Sequence, residues 1–103
     1  MTAMNAAQFM QETQHAQQPV LVEFWAPWCV YCRRLAPALA RLDRQDVIVG
    51  SINIDDHPAL AQLEGIEVVP TLVLYHRGEA LGSIVAPDSR ARIEEFLEDF
   101  LGS

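Results

Sequence analysis

The sequence predicts an α/β domain: one mixed β-sheet with helices on both of its faces. Three observations carry this. Runs rich in β-branched residues alternate with segments whose apolar residues recur at helical spacing. The run Val20–Trp25 is almost wholly apolar, as a central strand buried on both faces requires. Arg77-Gly78 separates two further strand-like runs closely enough for a hairpin. With 103 residues there is room for one compact domain and not two, so residues 1–103 are read as a single domain.

Along the chain, Asn5 is placed to cap a helix, and Gln8 three residues on completes a capping box. Ala6, Phe9, Met10 and Thr13 supply a mainly apolar side, which gives a helix over about 5–16. Any strand before it, around Thr2–Met4, must be short. Pro19 opens the next segment, the strand Val20–Trp25, in which Glu23 is the one charged residue. Ala26-Pro27-Trp28 breaks that strand. A helix follows from about Cys29 to Arg44, with Leu35, Leu39 and Leu42 at helical spacing and Pro37 inside it as an expected kink. Val47–Ile54 reads as a strand, and Asp55–Pro58 as a turn into a short helix that Gly65 ends. Val68–Tyr75 and Ala80–Val85 are strands joined by Arg77-Gly78 as an antiparallel hairpin. Pro87-Asp88 opens the last helix, whose apolar stripe is Ile93, Phe96, Leu97, Phe100 and Leu101. The helical crossover after Trp25 makes the first two main strands parallel, with the hairpin adding antiparallel strands at one edge.

The net charge is −7, which disfavours phosphate backbones and anionic membranes, so neither nucleic acid nor membrane is expected as a partner. No apolar run approaches the ~18 residues that cross a bilayer. Residues 1–17 lack the basic region and apolar stretch of a secretory signal. Two cysteines, three positions apart, do not make a disulfide-stapled secreted miniprotein; they fit a reduced compartment, and a cytoplasmic location is expected.

Cys29 falls where a strand ends and a helix begins. Helix N-termini carry free N–H groups and partial positive charge, which favour a thiolate and lower the thiol below its ordinary ~8.5. Cys32 is one helical turn on, within reach of a mixed disulfide formed at Cys29. The pair therefore suits two-step exchange, in which Cys29 attacks and Cys32 resolves. Other readings stay open at this point. A staple closing so short a loop contributes only roughly 2 kcal/mol in the chain-entropy model. A zinc site needs two more ligands, and only the scattered His15, His57 and His76 are on offer. Two buried inert thiols are a third reading.

The stretch Val20-Leu21-Val22-Glu23-Phe24-Trp25-Ala26-Pro27-Trp28-Cys29-Val30-Tyr31-Cys32 resembles the active-site strand and loop of the thioredoxin family. Ala36-Pro37, Asn53-Ile54-Asp55, Gly65-Ile66, Val69-Pro70-Thr71-Leu72 and Arg77-Gly78-Glu79 extend the resemblance over roughly residues 18–101. It implies a thioredoxin fold and a protein-disulfide reductase, with no cofactor. It also implies a monomer acting on disulfide-containing proteins, with a thioredoxin reductase as electron donor. Pro70 would be cis, opposite the cysteines, with Val69 offering backbone groups to an extended substrate. Trp28 would shield the sulfurs, while Trp25 packs. Glu23 falls at the family's buried acid, beneath Cys32; burial should raise its pKa, and it would exchange a proton with Cys32. The alternative is a carboxylate that snorkels to a strand end.

The chain also departs from the family pattern. Val30-Tyr31 replaces the usual dipeptide between the cysteines and brings no charge, from which a fairly reducing protein is expected. Ser51 stands where many members place a lysine near the buried acid. Ala86 replaces a glycine bordering the substrate groove, and its methyl is expected to hinder some partners. Arg33 and Arg34 either lower the Cys29 pKa further or steer acidic substrates, or else form a solvated helix face. An oxidase or isomerase, or a non-catalytic adaptor or chaperone-like module, are the competing functions on the same fold.

Overall fold

A computed structural model describes residues 1–102. Its elements in chain order are β1 (Thr2–Ala3), α1 (Ala6–His15), β2 (Val20–Trp25), α2 (Val30–Ala40), β3 (Ile48–Asn53), α3 (Pro58–Leu63), β4 (Thr71–His76), β5 (Glu79–Val85) and α4 (Arg90–Leu101). The strands form one five-stranded sheet in the order β1-β3-β2-β4-β5. β2 is central. It pairs parallel with β3, with Glu23 opposite Ser51, and antiparallel with β4, with Glu23 opposite Leu72. The expected mixed sheet, parallel crossover and edge hairpin are all present.

Strand alternation divides the apolar residues of β2 between two cores. Val20, Val22 and Phe24 pack with Phe9 of α1, Leu60 of α3, Ile52, Val73 and Tyr75 on one face. Leu21 packs with Leu35 and Leu39 of α2, Ile93, Phe96 and Leu97 of α4, and Leu72 and Leu74 on the other. Each fully buried Leu, Val or Phe contributes about 1.5–3 kcal/mol by removal from water. Glu23 lies between Leu21 and Trp25 in alternation, so the α2 side of the sheet must take it.

The N-terminus of α1 forms as the sequence predicts. Asn5 Oδ1 accepts the Gln8 N–H at 2.8 Å, and Gln8 Oε1 accepts the Asn5 N–H at 2.9 Å. The hairpin turn also holds: Arg77 and Gly78 adopt φ 53° and 84°, the left-handed pair that a tight hairpin needs.

Three boundaries differ from the sequence reading by more than one residue. α2 ends at Ala40, short of Arg44. Its last turn tightens, with Leu42 N–H bonded to the Leu39 carbonyl at 3.2 Å, and Arg44 is drawn instead to Asp46 at 2.7 Å and to the Gly102 carbonyl at 3.0 Å. β4 starts at Thr71 and not Val68, because Pro70 has no N–H to give the ladder. α4 starts at Arg90, after Pro87-Asp88. Its cap is Ser89, whose Oγ accepts the Arg92 N–H at 3.1 Å. In the apolar stripe of α4, Phe100 is the exposed member; it lies over Gly82, where any added Cβ would collide with its ring.

Candidate active site

The C-terminal end of β2 carries the cysteines. The strand delivers Trp25 and Ala26 to the edge of the sheet, and the Ala26 carbonyl accepts the Cys29 N–H at 3.1 Å to close the turn. Cys29 is the N-cap of α2 and is joined to Cys32 by a disulfide, with Cα atoms 5.3 Å apart. Cys29 Sγ accepts the Cys32 backbone N–H at 3.1 Å, so the helix end points a donor at that sulfur. Cys29 Sγ also lies 3.8 Å from the Val69 carbonyl oxygen. Ala26, Cys29 and Cys32 make a small apolar cluster against which Trp25 and Val69 pack. The two sulfur residues are not equivalent: Cys29 is 8% exposed and Cys32 3%.

Beneath Cys32 is Glu23, 3% exposed, with its Oε2 lacking any hydrogen-bond partner among the described residues. It does not snorkel to a strand end. It faces a cavity of about 150 Å³ whose walls include Trp25, Cys32, Arg33, Ala36 and Ser51. That space accommodates a few water molecules at ~30 Å³ each. Burial lifts the Glu23 carboxyl from its ordinary 4.5 to about 7. Ser51, directly opposite in β3, brings no charge that would counter the burial.

The other residues singled out from sequence fall on the same rim. The Val69–Pro70 peptide is cis, and the Pro70 carbonyl accepts the Ala86 N–H at 2.9 Å. Ala86 has φ 45°, a left-handed conformation suited to glycine and costly for alanine. Trp28 is 63% exposed and lies outside the cluster that holds the sulfurs; its Nε1–H donates to Asp55 Oδ1 at 3.2 Å. Packing is therefore what holds Trp25, and a polar tether is what holds Trp28. Val30, Val68 and Val85 are exposed apolar neighbours of this rim in the fold. Sequence reasoning missed two contacts here. One is Asp55, whose own N–H is held by Asn53 Oδ1 at 2.9 Å. The other is Tyr31, whose hydroxyl reaches the carbonyls of Ala86 and Pro87. An Asp just past a strand end and a phenol in the first helical turn were the available signals.

Comparison with known proteins agrees with this geometry. The thioredoxin family model matches residues 1–99. The thioredoxin of Porphyra purpurea is 36% identical, with 92% of each chain covered. Thioredoxin 1 of Synechococcus elongatus is 34% identical, over 96% of this chain and 95% of that one. A solved structure of Malassezia sympodialis thioredoxin superposes with a TM-score of 0.86, covering 96% of this chain and 89% of that chain at 24% identity, which speaks to the fold. Spanned almost end to end by that family and carrying a cysteine pair at its active corner, this chain belongs to the thioredoxin family and is a thiol–disulfide oxidoreductase that reduces protein disulfides.

Proposed function

We propose that Cys29 is the attacking sulfur, Cys32 the resolving one, and Glu23 the group that takes the Cys32 proton. The observation that carries this is the asymmetry of the pair: Cys29 Sγ sits at the helix N-terminus on the Cys32 N–H, while Cys32 backs onto the Glu23 cavity. In the reduced protein the Cys29 thiolate attacks one sulfur of a substrate disulfide. A Cys29–substrate disulfide forms, and the other substrate sulfur leaves as a thiolate. Cys32 then gives its proton to the Glu23 carboxylate, directly or through water, and its sulfur attacks Cys29 Sγ. The Cys29–Cys32 disulfide forms and the second substrate thiolate leaves. Two electrons have passed to the substrate, and a dithiol donor must return them. We place a thioredoxin reductase in that role and the cytoplasm as the compartment, where such a donor keeps thiols reduced.

Val69 and Pro70 border the route to Cys29, so an extended substrate segment would meet the backbone of Val69. Trp28 offers that segment a flat apolar face. The test is insulin-disulfide reduction with dithiothreitol. Wild type should accelerate it, and Cys29→Ser should return the rate to that of dithiothreitol alone. Equal rates for the two proteins would remove the assignment of Cys29 and favour a binding module.

A further inference from the structure

The two residues between the cysteines differ in what they can hold. Val30 has no donor. Tyr31 stands in the first turn of α2, and its hydroxyl lies 3.1 Å from the Ala86 carbonyl oxygen and 3.1 Å from that of Pro87. Its single proton is shared between these two acceptors. The segment they belong to is otherwise under strain, since Ala86 is left-handed at φ 45°. It is held from the other side by the Ala86 N–H on the Pro70 carbonyl at 2.9 Å. With Cys29 Sγ 3.8 Å from the Val69 carbonyl, the contacts close a ring: Cys29, Val69-Pro70, Ala86-Pro87, Tyr31 and back to Cys29 through the helix turn. Ala86 lies just past the end of β5 at Val85, and α4 begins only at Arg90.

We propose that Tyr31 is a positioning residue for protein substrates: its hydroxyl latches the strained Ala86-Pro87 segment and so fixes one wall of the surface on which a polypeptide disulfide lies when it reaches Cys29. The inference rests on Cys29 being the attacking sulfur. A polypeptide that presents its disulfide to Cys29 must lie across the rim. A small disulfide needs only the sulfur. Removing the phenol proton returns the two carbonyls to water and frees Ala86 to leave its left-handed conformation. A protein substrate must then order that wall on binding. The thiolate at the helix end is untouched.

The experiment compares Tyr31→Phe, which keeps the ring, with wild type. Steady-state insulin reduction and the reaction of the reduced protein with 5,5′-dithiobis(2-nitrobenzoate) are measured together. The KM for insulin should rise about 3–10-fold, the scale of one lost hydrogen bond, with kcat and the small-disulfide rate constant within about twofold. Amide exchange at Ala86 should accelerate by a similar factor while Leu74, buried in the middle of β4, is unchanged. An unchanged KM or unchanged Ala86 exchange in an otherwise active protein overturns the latch. So does an equal loss on both disulfides, which would put Tyr31 in the sulfur chemistry. A wild type that does not reduce insulin removes the assignment of Cys29, and this inference with it.

Discussion

Around Val20, where β2 begins, polar groups are paired and apolar groups covered; around Trp25, where it ends, both rules are broken. At the Val20 end, the Pro19 carbonyl accepts the Ile48 N–H at 2.9 Å and the Thr13 carbonyl accepts the Gly78 N–H at 2.7 Å. Tyr75, paired with Val20 across the sheet, meets Phe9 edge-on with ring centroids 5.2 Å apart and donates its hydroxyl to Glu64 at 2.7 Å. Arg77 is left-handed there, but the hairpin requires it. At the Trp25 end, Glu23 is buried with an oxygen that has no partner among the described residues, Trp28 stands in solvent, and Ala86 is left-handed. One end holds the sheet together. The other carries the sulfur chemistry, and its broken rules are ones that chemistry can use.

Phe9→Ala should break the stable end most severely. Phe9 is fully buried against Phe24 and Tyr75, and losing its ring from a close-packed core costs about 3–5 kcal/mol. The midpoint of urea unfolding reads this directly. The pH dependence of mixed-disulfide resolution in the folded protein should stay as in wild type, because nothing near Cys32 has changed. A shifted pH profile would show that the two ends are not independent.

Glu23→Gln acts in the opposite sense. The folded carboxyl titrates near 7 and the unfolded one near 4.5, so folding favours the protonated form. Its contribution to stability is fully present below pH 4.5 and is lost as the pH rises to about 7. Above that the buried carboxylate costs on the order of 3 kcal/mol, the equivalent of the shift. A neutral glutamine escapes that cost. The variant should be more stable than wild type at pH 8 by about this amount and nearly equal to it at pH 4. Its mixed-disulfide resolution should be slower and lose the rise through pH 7 that a carboxylate acceptor gives. Equal stability at both pH values would mean that the carboxylate finds a partner at this end after all.

The stable end was legible in the sequence because its cues are local. Asn5 with Gln8, the almost unbroken apolar run from Val20 to Trp25, and Arg77-Gly78 each specify geometry within a few residues. The cysteine pair and Glu23 were legible for a related reason: a charge inside a buried strand and two thiols one turn apart are visible as violations. What stayed hidden depends on contacts across the fold. Tyr31 and Ala86 are 55 positions apart, and Trp28 and Asp55 are 27 apart. The Ser89 cap is masked in the sequence by Pro87-Asp88, which offers a helix-start cue just before it. The start of β4 shifted because Pro70 lacks the N–H that the strand ladder needs.

Ala86→Gly should relax part of the active end without moving a sulfur. A left-handed alanine costs about 1 kcal/mol more than glycine, so the variant should gain about that much stability, or roughly 4–8 °C in Tm. Destabilisation would show that the methyl packs well enough to outweigh the strain.

Trp28→Phe is the finest test of the comparison, and its expected effect is the smallest. The indole N–H donates to Asp55 at the surface, where a hydrogen bond exchanges readily with water and contributes about 0.5 kcal/mol. The phenylalanine ring keeps an apolar face on the rim. Stability should therefore change by less than about 0.5 kcal/mol and kcat/KM for insulin by no more than about threefold. A loss of stability comparable to that of Phe9→Ala would place Trp28 among the residues that hold the fold, and the two ends would then share one construction. A loss of kcat/KM beyond tenfold at unchanged stability would do the reverse. It would show that the Asp55 tether sets where the indole meets the substrate, so that a satisfied polar contact on this rim also serves recognition.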